Sequence, residues 1–387
     1  MKIGIDCLSF FIPDLFLDIA ELAVARDTDP AKFKIGIGQD QMAVQPVTQD
    51  IVTLGANAAK KIVTDADRAL IDMVIVGTES GTDFSKASAV VIHQLLGIQP
   101  FARSFEIKEA CYGGTAAVQL AKEYVASHPD RKVLVIASDI ARYGLNSGGE
   151  VTQGAGAVAM LITKDPRVLV LADDNTFLTE NVYDFWRPAY SEFPVVDGPL
   201  SNTTYIESFQ KVWRRHREIS GLTLSDFDAL SFHIPYTKMG KKALLSVLDE
   251  TDEATQERLL ARYEESIRYS RRIGNLYTGS LYMGLISLLE NSTALTAGSK
   301  IGLFSYGSGA VSEFFTGYLA EGYQNHLFPT THQELLENRR QVSIPEYEEL
   351  FVQKLPAHGE SATYDDPMRF SIQKVEGDIR YYRETEG

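Results

Sequence analysis

The sequence predicts an α/β fold built from two related halves, and three observations predict it. Short apolar runs rich in Val, Ile and Leu, each bounded by Gly, Asp or Ser, recur along the chain and read as buried parallel strands. Helical patterns alternate with them, as sheets covered on both faces require. The 387 residues also exceed the roughly 250–300 at which a single hydrophobic core stops growing, so two core-forming units are expected.

The first strand falls within MKIGIDCLSFFIPDLF at the N-terminus. The next are Met73–Val76 in DMVIVG, Val133–Ile136 in KVLVIAS and Ala157–Ile162 in AVAMLI. Leu230–Phe232 in ALSFH and Ile301–Phe304 in IGLFSYG complete the set. Helices are expected at Ala116–Val125, Lys241–Leu248 and Leu281–Leu289. The first half runs strand, loop with Glu79, loop with Cys111, helix, strand. The second runs strand with His233, helix, loop with Asn275, helix, strand, which echoes the first in architecture. The division is set at residues 1–165 and 166–387. No low-complexity linker separates the halves, so they should pack closely. Beyond about residue 330 the chain turns polar (QELLENRRQ, EYEELF, YDDPMRF). Peripheral helices and strands are expected there, with a ragged end after Glu376.

Composition removes several function classes. A formal net charge of −15 disfavours a protein that tracks nucleic-acid phosphates, which needs excess Lys and Arg. A phosphorylated small molecule needs only a local basic patch. No apolar run of about 18 residues is present, so no membrane span is expected. The N-terminus lacks the basic stretch and cleavage site of a secretory leader, and a cytoplasmic protein is expected. Two cysteines, Cys7 and Cys111, are too few for a disulfide framework or a zinc site, fit a reducing compartment, and leave no metal expected.

The chemistry concentrates in a few residues. Cys111 in KEACYGGTAAVQLA precedes Gly113–Gly114 and an alanine-rich helix, which places its thiol near a helix N-terminus. There the dipole and free N–H groups would lower the thiol pKa and hold an oxyanion, with the glycines letting a substrate approach the backbone. Cys7, on a strand pattern, reads as a small buried hydrophobe. His233 ends a strand at the edge where open α/β sheets bind ligands, and suits proton exchange or a hydrogen bond to a carbonyl. Lys238, Lys241 and Lys242 follow it, as a phosphate anchor or as a solvated helix face. Glu79, after DMVIVG, could act as a general base if burial raises its pKa. Asn275 reads as a helix cap or a carbonyl-binding amide, and Ser308, in a glycine-flanked turn, as a presenter of a backbone N–H.

Taken together, these segments resemble the 3-hydroxy-3-methylglutaryl-CoA (HMG-CoA) synthases, particularly the bacterial ones, within the thiolase-like condensing enzymes. The resemblance rests on GIGQDQM, VGTES, KEACYGGTA, YDFWRP, DGPLS, FHIPYTKMGKKAL, RRIGNLYTGSLY and YGSGA, in that order from near residue 36 to beyond residue 310. It implies a thiolase-like five-layered αβαβα fold and a homodimer. It also implies the condensation of acetyl-CoA with acetoacetyl-CoA and water to HMG-CoA and CoA, an early step of the mevalonate route to isoprenoids, with CoA thioesters as substrates and no cofactor. Carried over, Cys111 is the acetylated nucleophile, Glu79 the general base or acid, and His233 the residue that orients acetoacetyl-CoA. Asn275 and the Ser308 backbone would hold acyl carbonyls. Lys238 and Lys242 match CoA contacts, and Gly148, Thr152 and Ser201 match substrate-lining positions. Glu79→Ala is expected to acetylate but not to condense.

Four alternatives compete. A biosynthetic thiolase would need a second, late cysteine, and none follows Cys111. A ketoacyl synthase would share Cys111, His233 and Asn275 but not Glu79 or KMGKK. An enzyme acting on carrier-protein thioesters would share every residue above. A silent scaffold that binds acyl-CoA would not need Cys111, Glu79 and His233 intact.

Overall fold

The computed structural model describes residues 1–384. Ten strands form its main sheet: β1 (Ile3–Phe11), β2 (Ile71–Gly77), β3 (Arg103–Ile107), β4 (Lys132–Ala141), β5 (Gly154–Lys164), β6 (Leu169–Leu171), β7 (Thr176–Thr179), β8 (Ala229–Phe232), β9 (Lys300–Gly307) and β10 (Val311–Leu319). Their order is β8-β9-β10-β6-β1-β5-β4-β2-β3, with β7 also on β10. One pairing rule serves both halves. The opening strand lies antiparallel to the closing one, β1 to β5 and β7 to β10. The closing strand then lies antiparallel to its predecessor, which is parallel to an earlier strand, β4 to β2 and β9 to β8. The architectural echo in the sequence is therefore a repeated topology. Ala157–Ile162 departs from expectation, because β5 is antiparallel to both neighbours. A run buried on both faces carries no sign of strand direction.

Strand side chains alternate between two cores, as a period of two dictates. Val133 and Val135 of β4 join a central core, whereas Leu134 and Ile136 point into an outer one. Helices α1 (Ile51–Lys60) and α2 (Ser88–Leu95) cover that outer face. The central core is filled by α3 (Gly113–Ser127) and by a later helix, Ser280–Asn291, both apolar enough to lie between sheets. On the far side, α4 (Gly198–Ser220), α5 (Met239–Leu245) and α6 (Glu253–Ser266) pack Phe209, Trp213, Leu244 and Tyr263 against Phe232, Phe304 and Phe314. With the Ser280–Asn291 helix named α7, the layers run α1/α2, the β1–β5 part of the sheet, α3/α7, its β8–β10 part, α4–α6. This is the αβαβα order the resemblance implies. Burying each Leu, Ile or Phe in these layers contributes about 1.5–3 kcal/mol.

Two other expectations change. The helix after His233 ends at Leu245, not Leu248, because the Ser246 hydroxyl turns back onto the Ala243 carbonyl at 2.7 Å and competes with the helical ladder. The chain is not ragged from Glu376 to Glu384, and the last three residues of that expectation lie outside the described ones. Strands Phe370–Glu376 and Ile379–Glu384 pair as a hairpin, and Asp50, the N-cap of α1, accepts from Arg380 (2.8 Å) and Tyr382 (2.7 Å). The polar tail also forms α8 (Ile344–Val352), capped by Ser343.

Candidate active site

Two close backbone approaches create the site. A Cβ on Gly77, at the end of β2, would meet Gly113 and Gly114 at 2.6 Å, so the strand end and the start of α3 touch directly. A Cβ on Gly307, at the end of β9, would meet the Tyr112 nitrogen and the Glu109 carbonyl at 2.7 Å. Only glycine permits such contacts. The turn carrying Cys111 is thus clamped between the C-terminal ends of a strand from each half. Gly113 and Gly114 serve this packing, Gly114 facing the Thr278 carbonyl, rather than opening the backbone to a substrate. Ala110 is held at φ 41°, a left-handed conformation in which a Cβ is strained.

Cys111 Sγ donates to Glu79 Oε1 at 3.0 Å. Asp139, fully buried on β4, organises the base. Its Oδ1 accepts from the Thr78 hydroxyl (3.0 Å), the Glu79 N–H (2.7 Å) and the Ser80 hydroxyl (2.8 Å). Its Oδ2 accepts from the Thr278 N–H (3.1 Å) and hydroxyl (2.5 Å), supplied by the second half. Burial lifts the pKa of Asp139 to about 6, against the hydrogen bonds that hold it down. Burial first and the Asp139 charge second push Glu79 up to about 8. Arg187, which donates to the Glu79 carbonyl, opposes that rise with its positive charge.

The expectation of a lowered Cys111 pKa fails. The thiol does sit at the start of α3, but burial and the carboxylates of Glu79, Asp139 and Asp184 raise it well above its ordinary value. Three converging acids outweigh one helix terminus, whose effect is worth about 0.3–1 kcal/mol. The 3.0 Å bond gives the thiol proton a direct path to the Glu79 carboxyl group. Cys7 is buried, and burial with the neighbouring Asp6 raises its thiol to about 12, consistent with an inert core residue.

Beside the thiol opens a cavity of about 520 Å³. Cys111, Gly148, Thr152 and Ser201 line it, together with His233, Asn275 and Ser308. Glu79 reaches it through its bond to Cys111. His233 is 2 % exposed among the aromatic rings of Tyr205 and its neighbours, and burial alone lowers its pKa to about 3. Its imidazole is neutral, with one N–H to donate and one nitrogen to accept. Asn275 is held by its oxygen, which accepts from the Tyr277 N–H and the Ser280 hydroxyl, both at 2.8 Å. Its Nδ2 is thereby aimed at the Tyr143 hydroxyl (3.2 Å) on the cavity wall. Ser308 is fixed from both sides by Asp184, which accepts from Tyr306 (2.8 Å) and the Gly309 N–H (3.1 Å).

Lys238 and Lys242 stand apart from the cavity wall. Pro235, Tyr236 and Met239 of the same segment line it, while Lys242 is exposed and binds the Tyr236 hydroxyl at 2.8 Å. Lys241 pairs with Glu264 at 2.7 Å. Sequence reasoning missed Asp139, Asp184 and Tyr143. Asp184 lay in the YDFWRP segment, and Asp139 and Tyr143 in SDIARYG, which begins within the last residues of β4 and runs past its end. A carboxylate interrupting the otherwise largely apolar run of β4 was the signal available for Asp139.

Two family models match. That for the N-terminal part of hydroxymethylglutaryl-coenzyme A synthase covers residues 1–167, and that for the C-terminal part covers 174–256 and 246–382. A hydroxymethylglutaryl-CoA synthase of Enterococcus faecalis is 64% identical over 383 residues, spanning 99% of this chain and 100% of that protein. A crystal structure of HMG-CoA synthase complexed with CoA superposes with a TM-score of 0.97 at 44% identity, over 100% of both chains. A structure of MvaS in complex with 3-hydroxy-3-methylglutaryl coenzyme A gives a TM-score of 0.89 at 34% identity, over 100% of this chain and 99% of that one.

Proposed function

The chain belongs to the hydroxymethylglutaryl-CoA synthase family, and we propose that it performs the family's condensation through an acetyl-S-Cys111 intermediate. It is an acyltransferase with the thiolase fold that joins acetyl-CoA and acetoacetyl-CoA, with water, to give HMG-CoA and CoA. The thiolase and ketoacyl synthase alternatives fall with that assignment. The observation that carries the residue roles is the Cys111–Glu79 bond at the edge of a cavity that also gathers His233 and Asn275.

In the first stage the thiol proton passes to the Glu79 carboxylate as Sγ attacks the acetyl carbonyl. The Cys111 N–H at the α3 terminus faces the developing oxyanion. The tetrahedral intermediate collapses, CoA leaves as a thiolate, and the proton held by Glu79 neutralises it. In the second stage Glu79 removes a methyl proton from acetyl-S-Cys111. The resulting enolate attacks the ketone of acetoacetyl-CoA, whose oxygen His233 and Asn275 hold by hydrogen bonds. The alkoxide takes the proton back. Water then cleaves the Cys111 thioester, releasing HMG-CoA and the free thiol. One cysteine serves two substrates in turn, which is the logic of ping-pong kinetics.

Gly148, Thr152 and Ser201 line the acyl tunnel, and Lys238 and Lys242 hold CoA phosphates at its rim. The halves divide at residues 1–165 and 166–387. A homodimer is supported by β3, which ends the sheet with an open edge, and by Phe101 beside it, 92% exposed. The family and the two free cysteines support a cytoplasmic, mevalonate-pathway setting. Mixing the protein with both thioesters and following HMG-CoA by mass spectrometry tests the reaction. Product from the parent and none from Cys111→Ser is expected, whereas product from both would exclude Cys111 as the carrier.

A further inference from the structure

We infer that α8, in the polar tail, is a positioning element of the acyl pocket and that Tyr347 is its working residue. The inference rests on the reading of the cavity as the acetoacetyl-CoA site. One wall of that cavity is the irregular segment from Tyr143 to Thr152, which contributes Ser147, Gly148 and Gly149 as well. Two buried side chains hold its backbone in place. Gln153 Oε1 accepts from the N–H groups of Tyr143 (2.7 Å) and Gly144 (3.3 Å), and Glu150 Oε2 accepts from the Asn146 N–H (2.9 Å).

Both side chains depend on α8. The Tyr347 hydroxyl donates to Glu150 Oε1 at 3.1 Å and accepts from Gln153 Nε2 at 2.9 Å. Arg26 closes the assembly, binding Glu150 at 2.8 and 2.9 Å and Glu348 of α8 at 2.8 Å. Tyr347, Glu150 and Gln153 are all buried, so a lost partner is not replaced by bulk water. The wall continues to the carbonyl-binding amide: the Asn275 N–H donates to the Thr152 carbonyl at 3.0 Å, and Asn275 Nδ2 meets the Tyr143 hydroxyl. Tyr347 touches no substrate. It acts through Gln153 and Glu150 on the groups that do, and small misplacements of such groups lower rates about 10–100-fold.

Tyr347→Phe keeps the ring and removes both hydrogen bonds. Hydrogen exchange should quicken at the amides of Tyr143, Gly144 and Asn146. KM for acetoacetyl-CoA should rise, with kcat/KM about tenfold lower, while acetyl-CoA still acetylates Cys111 to one equivalent. Glu348→Gln, which removes only the half-exposed partner of Arg26, should move the same exchange rates less. Leu350→Ala, which thins the packing of α8 but leaves the Tyr347 bonds, serves as the stability control and should leave KM unchanged. Unchanged exchange and kinetics in Tyr347→Phe, or changes matched by Leu350→Ala, would overturn the inference. A parent protein that never makes HMG-CoA would defeat the reaction assignment instead, and amide exchange would still decide the role of Tyr347.

Discussion

The two sides of the cavity shift their titratable groups to opposite ends. On the first half's side Cys111 lines the cavity with Glu79 and Asp139 behind it, three acids within a few hydrogen bonds of one another. The wall from the second half holds His233 among aromatic rings, with burial as the one cause of its shift. On the first wall a like charge adds to desolvation and brings Glu79 into the range where it both takes and gives protons. On the second, desolvation carries His233 out of that range and leaves a fixed neutral donor. In the proposed mechanism, proton transfer falls to the first half and substrate orientation to the second.

The largest test of that division is Glu79→Gln, which keeps shape and burial but removes the base. HMG-CoA formation should fall about 10²–10⁴-fold, as for other lost general bases, and acetylation should slow by less. His233→Asn keeps a neutral donor, so it should cost about tenfold in kcat/KM for acetoacetyl-CoA, the scale of one altered hydrogen bond, with acetylation intact. Equal losses in both variants would erase the distinction between the walls.

Stability should divide with opposite signs. The folded protein binds the Glu79 proton more tightly than the unfolded chain does. That contribution is full below about 4.5 and is lost as pH rises through about 8. The folded protein resists protonating His233, so its contribution is full above about 6.5 and is lost as pH falls toward about 3. Relative to the parent, Glu79→Gln should gain about 2–4 °C in Tm on going from pH 5 to pH 8. His233→Asn should gain on going from pH 7 to pH 4. Parallel trends would break the comparison. The smallest effect is expected at the rim: Lys242→Ala should raise KM for CoA thioesters about two- to fivefold at low salt and less at high salt, as for an exposed charge.

Much of this was legible in the sequence because it is local. Apolar runs gave the strands, and Cys111 ahead of two glycines and an alanine-rich stretch gave the start of α3. His233, Asn275 and Ser308 were found because each closes a strand or opens a helix. What escaped notice depends on residues far apart in the chain. The thiol looked activated by a helix terminus because Asp139 and Asp184 reach it only in the folded protein. β5 looked parallel because burial on both faces hides direction. The tail looked idle because Tyr347 meets Glu150 and Gln153 nearly 200 positions away.

The most direct test of the central claim is intact mass and peptide mapping after brief mixing with acetyl-CoA, followed by an acetoacetyl-CoA chase. The parent and Glu79→Gln should each gain one acetyl group, on Cys111, and only the parent should discharge it as HMG-CoA. An acetyl group on another residue, no adduct on the parent, or discharge from Glu79→Gln at the parent's rate would contradict the account.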